Sequence, residues 1–147
     1  MTRTLHDFLT GAKNKDFATK SGTKMHADLQ RVVVDDVDNC GNDDLIKIIQ
    51  NRSDLKPFFR KDAKTEVPIA GFINGHFASR RIDRLIINHD TKIIDFIDYK
   101  TDTDKTLFLE KYKHQLNEYS ELLKSAYPDY KINSYILWTN DWVLEQI

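Results

Sequence analysis

The chain has 147 residues, of which 40% are hydrophobic and 31% charged, and its formal net charge is −1. That length supports one domain with a real core and no need of disulfide or metal staples. The charge balance argues against a chain that binds nucleic acid by bulk electrostatics, the single cysteine (Cys40) excludes an internal disulfide and a Cys-rich zinc or iron–sulfur site, and no apolar run reaches membrane-spanning length.

The first stretch, MTRTLHDFLTGAKNK, lacks the long apolar centre of a signal peptide, so a cytoplasmic, reducing location is expected. Residues 4–59 read as helices. Ser21-Gly22-Thr23 suits a helix start before Met25, His26, Leu29, Val32 and Val33, and Asn42-Asp43-Asp44 suits a cap before Leu45, Ile46, Ile48 and Ile49. Leu55 to Phe59 reads as a connector or helical turn, since Pro57 fits a helix start better than an interior.

From Lys64 the period changes to two. Strands are predicted over Glu66–Ile73, Phe77–Asn88 and Lys92–Lys100, with turns at Asn74-Gly75 and Asn88-His89-Asp90; Asn-Gly is a strong hairpin signal. A helix follows over Thr106–Ser125, where Leu109, Tyr112, Leu116, Tyr119, Leu123 and Ala126 form one apolar stripe. Ile132–Trp138 is a further strand and Trp142–Ile147 an edge strand. The expected class is α/β: an antiparallel three-strand meander, a helix, and further strands in a mixed sheet, with a helical part over residues 1–60 and a core over 64–147 in a single domain.

The third strand, in TKIIDFIDYKTDTD, carries acidic residues where strands usually avoid them. Side chains alternate across a strand, so Ile94, Phe96, Asp98 and Lys100 share one face and Asp95, Ile97 and Tyr99 the other. Asp98 therefore has an ammonium neighbour on its own face, and Asp95 has none. Asp83, on the preceding strand, lies at a comparable distance from the intervening turn. Two carboxylates and a lysine can hold a hard divalent cation that keeps waters and takes phosphate oxygens. An Asp-x-Lys triplet is equally the pattern of an exposed salt bridge. Asp102 and Asp104 read as turn and helix-cap residues. Taken alone, His26 reads as a surface or core histidine and Tyr119 as a core residue of the helix stripe.

The segments GTKMHADL, TEVPI, RIDRL, IDYKT and QLNEY, in that order, together with the closing YPDYKINSYILWTNDWVLEQI, resemble the PD-(D/E)XK nuclease domain of the RecB/AddA family. The resemblance spans about residues 21–147. It implies a restriction-endonuclease-like core and a Mg2+-dependent DNA exonuclease, with Mn2+ able to substitute, acting in double-strand break repair and recombination. It assigns Asp83, Asp98, Lys100, Gln115 and Tyr119 to catalysis, and His26, Asp83, Asp98 and the Tyr99 backbone carbonyl to the metal. Glu66 matches an accessory glutamate, although it reads equally as a strand-end surface residue. Arg81, Arg84, Lys105 and Lys113, from the basic clusters of the chain, are candidate DNA contacts.

The implied partners are DNA, a helicase motor in cis or in trans, and an AddB-type subunit. The chain has no G-x-x-x-x-G-K-[ST], so no ATP site is expected in it. One cysteine excludes the four-cysteine iron–sulfur cluster of AddB-like relatives. Two other readings remain: a non-catalytic DNA-binding or docking module of a helicase complex, and a phage-type exonuclease or restriction-like endonuclease of the same fold.

Overall fold

The computed structural model describes residues 24–35 and 42–147. The expected helix start at Ser21-Gly22-Thr23 and Cys40 lie outside the described residues. Residues 24–30 are helical (α1), followed by α2 (Asp43–Gln50) and a 3-10 turn (Lys56–Phe59). Asn42 caps α2, its side chain accepting from Leu45 N at 3.2 Å, and Pro57 sits at the start of the 3-10 turn, where its missing N–H costs nothing.

Five strands then form one mixed α/β sheet in the order β1-β2-β3-β4-β5: β1 (Lys64–Ile73), β2 (His76–Asn88), β3 (Ile93–Lys100), β4 (Lys131–Trp138) and β5 (Val143–Gln146). The β1–β2 hairpin closes on Asn74 and Gly75, both at positive φ, which is what a two-residue primed turn requires. Between β2 and β3, Asn88 Oδ1 accepts from the backbone N–H of Asp90 and of Thr91. α3 (Lys105–Ala126) is capped by Asp104, which accepts from Leu107 N at 3.1 Å, and it returns the chain so that β4 runs parallel to β3. No helix among the described residues is long and apolar enough to cross a membrane.

The sheet is covered on both sides. Ile82, Leu85, Ile94, Phe96, Ile136 and Trp138 pack with Tyr112, Leu116, Tyr119 and Leu123 of α3. Ile97, Tyr99 and Leu137 pack on the other side with Leu29, Val32, Ile49, Leu55 and Phe59. β3 is thus buried on both faces, which is why its apolar residues run almost continuously rather than alternating with polar ones.

Arg84 joins the N-terminal segments to the sheet. It is 1% exposed, and its Nε donates to the Tyr99 hydroxyl at 2.9 Å. Its Nη1 donates to Phe58 O at 3.0 Å, and its Nη2 reaches the carbonyls of Leu29, Gln30 and Val32 at 2.9 to 3.3 Å. The guanidinium lies 4.2 Å from the centre of the Phe59 ring. This corrects the expectation that Arg84 is a DNA contact: all its reach is spent on carbonyls and the Tyr99 hydroxyl, including the carbonyls at the negative C-terminal end of α1, and none of it is presented to solvent.

Replacing Arg84 by Ala removes the donor that these buried acceptors share, although Leu29 O keeps a backbone N–H, that of Val32 at 3.1 Å, at a cost of about 1–3 kcal/mol for each group left unsatisfied. Arg84→Ala is expected to lower the unfolding free energy by about 3 kcal/mol or more. Arg84→Lys should recover only a minor part, because a point ammonium cannot reproduce the planar fork. Urea denaturation followed by far-UV circular dichroism measures both; a midpoint shared by Arg84→Ala and wild type contradicts the role given to this residue.

Candidate active site

The site forms where β2 and β3 part. Their antiparallel ladder runs from Asn88↔Ile93 to Arg84↔Ile97 and stops there; beyond it, Asp98, Tyr99 and Lys100 pair only with Ile136, Leu137 and Trp138 of β4. The Asp83 side chain takes the place of the next ladder bond, Oδ2 accepting from Tyr99 N at 2.8 Å.

The same level of β1 carries a second irregularity. Glu66 has φ 50, in the left-handed region, although it lies inside a strand. The ladder pairs Thr65 with Arg84 and Val67 with Ile82, so one residue on each strand is passed over. Ile82 and Leu85 consequently face the same core, beside α3, although three residues apart. In an unbroken strand they would face opposite ways.

Six residues expected at the site are brought together in two groups, one from each side of the sheet. From α1, His26 Nε2 lies 3.3 Å from Asp83 Oδ2, with its ring edge-on to Tyr99 at 5.4 Å between centroids. On the α3 side, Lys100 Nζ lies 2.9 Å from Asp98 Oδ2 and donates to Gln115 Oε1 at 2.9 Å. Gln115 Nε2 donates in turn to the Tyr119 hydroxyl at 2.8 Å. The strand parity that separates Asp98 and Lys100 from Asp95 agrees with this geometry. Asp95 is on the other face, accepting from Asn133 Nδ2 at 2.8 Å.

Asp98 is 4% exposed, and its Oδ2 has no directed hydrogen-bond donor. The Lys100 ammonium, 2.9 Å from that oxygen, pairs with it by charge. Burial pushes the Asp98 carboxyl up to about 6; Lys100 opposes the rise and the neighbouring Asp83 carboxylate adds to it. Burial and the Asp98 charge likewise push Tyr119 up to about 12, so its hydroxyl keeps its proton at neutral pH.

Of the remaining candidates, Glu66 falls level with Asp83, between the Thr65↔Arg84 and Val67↔Ile82 pairs, and its charge is felt at Tyr99; the basic candidates make pairs of their own. Arg81 is largely exposed and lies 3.5 Å from Glu66, which is the third residue of β1 itself. Lys105 pairs with Asp141 and lies over the Trp138 ring, and Lys113 pairs with Glu110. One contributor escapes the sequence reading. Tyr112 places its ring 4.2 Å under Lys100 Nζ, and its hydroxyl donates to Asp102. Its place three residues before Gln115, one helical turn away, is the available signal, but the apolar stripe gives a sufficient account of it. Asp102 serves as that anchor, and Asp104 is the helix cap.

Among the described residues, no three His, Cys, Asp or Glu side chains gather into a metal-holding group. What the site offers is a pair of carboxylates, one of them buried against the Lys100 ammonium. That donor set suits a hard cation completing its shell with water and substrate oxygens rather than one caged by protein. No protein-family model matches the chain, and no curated protein matches it.

The raised Asp98 pKa has a sign for stability. Below the ordinary value of 3.8 the carboxyl is neutral both folded and unfolded; as pH rises through about 6 the fold must hold the charge and loses stability. Asp98→Asn is therefore expected to raise the unfolding free energy at neutral pH by on the order of 1–3 kcal/mol. The gain should shrink as pH falls below about 6 toward 3.8. Urea titrations in EDTA across this range check it, and a variant less stable than wild type at neutral pH overturns it.

Proposed function

We propose that the chain is a divalent-metal-dependent deoxyribonuclease domain of PD-(D/E)XK type on a restriction-endonuclease-like core. It hydrolyses DNA phosphodiesters as an exonuclease beside a helicase motor and an AddB-type subunit. The observation that carries this reading is the buried Asp98 carboxylate, paired with Lys100 and set beside Asp83 where two strands separate. A carboxylate whose burial works against the fold, and whose cost Lys100 offsets only in part, is accounted for by a cation at that position.

Asp83 and Asp98 would hold Mg2+ or Mn2+, with His26 and the Tyr99 carbonyl as further donors. The ion supplies Lewis-acid polarisation of the phosphodiester. The other work falls to the chain itself. Lys100 is held in place by Asp98, the Gln115 amide oxygen and the Tyr112 ring. An ammonium has three N–H groups; Gln115 takes one, and the Asp98 carboxylate at 2.9 Å draws on another. The third leaves Lys100 able to stabilise charge building on a phosphate oxygen. Tyr119 binds the Gln115 amide nitrogen and so keeps the amide oxygen turned toward Lys100.

The test is nuclease activity on linear single-stranded, linear double-stranded and covalently closed circular DNA with Mg2+ or Mn2+. Linear substrates should be degraded and the circle spared. Asp98→Asn and Lys100→Ala should each lose at least about a hundredfold in rate, and Gln115→Ala about ten- to a hundredfold, as expected for a residue acting through another. Asp98→Asn is expected to be the more stable protein at neutral pH, and the urea titration on the same variant separates a loss of chemistry from a loss of fold. Cleavage undiminished in both Asp98→Asn and Lys100→Ala removes the assignment; cleavage of the circle replaces the exonuclease by an endonuclease.

A further inference from the structure

A depression runs between the distal part of the β1–β2 hairpin and α3 and opens at Lys100. One part, about 490 Å3, is bounded by Arg80, Lys100, Lys111, Gln115 and Glu118. A second, about 420 Å3, continues from Arg80 and Glu118 to Phe77 near the hairpin tip. The two share the Arg80 and Glu118 walls, so they form one path leading away from the candidate site.

Charge along the first part is ordered. Lys111, Gln115 and Glu118 recur at helical spacing and form one stripe of α3 about 10 Å long. Gln115, in the middle, holds Lys100. Lys111 is exposed one turn before it. One turn after it, Arg80 reaches across from β2, its Nη2 3.1 Å from Glu118 Oε2 and its Nη1 donating to Ser79 O at 2.9 Å. Those two bonds fix the guanidinium and leave three of its five N–H groups. A cation thus stands on each side of Lys100, and among the described residues Glu118, which His114 also approaches at 3.3 Å, is the sole carboxylate in this lining.

We propose that this pocket is a backbone subsite for single-stranded DNA, in which Lys111 and Arg80 bind the phosphates on either side of the phosphodiester at Lys100. The proposal rests on the nuclease reading for the position of the scissile bond. The depression includes Lys100 in its own lining, so a strand held by Arg80 and Lys111 brings its backbone to that ammonium. A positive groove tracking a single strand is the usual electrostatic device for such substrates. Glu118 is a positioning residue here, holding Arg80 in place.

Fluorescence anisotropy with a labelled single-stranded oligonucleotide of about twelve nucleotides, in EDTA to prevent turnover, tests the idea. The Arg80→Gln/Lys111→Gln variant should bind at least about tenfold more weakly. Its plot of log affinity against log salt should be shallower by about 1.4, since each phosphate left without its cation removes about 0.7 from the slope. Lys111→Gln alone, at an exposed position, should flatten the slope by about 0.7. Lys131→Gln, at the opposite end of β4 from the strand position paired with Lys100, should bind as wild type. Wild-type affinity and slope in the double variant, an equal loss in Lys131→Gln, or no binding by the wild type overturns the subsite. The two readings fail separately. Binding that depends on Arg80 and Lys111 without any cleavage keeps the subsite and removes the nuclease. Cleavage with unchanged KM in the double variant keeps the nuclease and removes the subsite.

Discussion

The interaction on which the site's assembly depends is the buried Arg84 guanidinium. One planar cation from β2 collects the carbonyls at the end of α1, the carbonyl of Phe58 and the hydroxyl of Tyr99. Few other devices could hold these groups, because carbonyls at the end of a short helix lack the donors of a following turn, although Leu29 O takes the Val32 N–H, and cannot be buried bare. With α1 fixed in this way, His26 is delivered to Asp83, the residue adjacent to Arg84. An anchor and a candidate ligand site are thus separated by a single peptide unit of β2.

The α3 side follows a different logic. There the chain accepts an unfavourable group rather than satisfying one. Asp98 is buried beside a second carboxylate, and the Lys100 ammonium offsets only part of the cost. Lys100 is itself restrained by the Gln115 amide, the Tyr112 ring and, through Gln115, by the Tyr119 hydroxyl. The residues that restrain the lysine come from the same helix that packs the core, and Tyr112 and Tyr119 belong to both. Positioning the lysine and packing the sheet are therefore one task for this helix. A core that favours a neutral Asp98 while the proposed chemistry requires a charged one is the usual form of a conflict between stability and activity.

Much of this is legible from local signals. Asn74-Gly75, the Asn42 and Asp104 caps and the period-two runs each act within a few residues, and the structure places the strands and α3 within a residue or two of the expected bounds. Strand parity on β3 separates Asp98 and Lys100 from Asp95 correctly because β3 is regular along its length. The same rule fails on β2. There Ile82 and Leu85 share a face, since the strand slips its alternation opposite Glu66. In the sequence that slip shows only as Arg84 standing where the alternation from Ala78 and Ile82 calls for an apolar residue, with Leu85 and Ile87 after it. Arg84 is misread from sequence for a related reason: Arg80, Arg81 and Arg84 look alike there. What distinguishes Arg84 is a set of acceptors 26 to 55 residues earlier in the chain.

The slip on β2 is also what lets two carboxylates from opposite sides of a sheet meet. A regular β2 ladder would carry its pairing past Arg84↔Ile97 and leave no gap beside Asp98. By ending the ladder, the sheet frees the Tyr99 N–H, and Asp83 closes it with a side-chain oxygen. Asp83 is therefore part of the backbone pairing as well as of the site, whereas Asp98 makes no bond that the sheet needs. The two carboxylates are unequal for that reason. A change at Asp83 disturbs the parting of the strands itself, and a change at Asp98 removes charge from a site that stays built. The cleanest separation of chemistry from architecture in this molecule lies at Asp98.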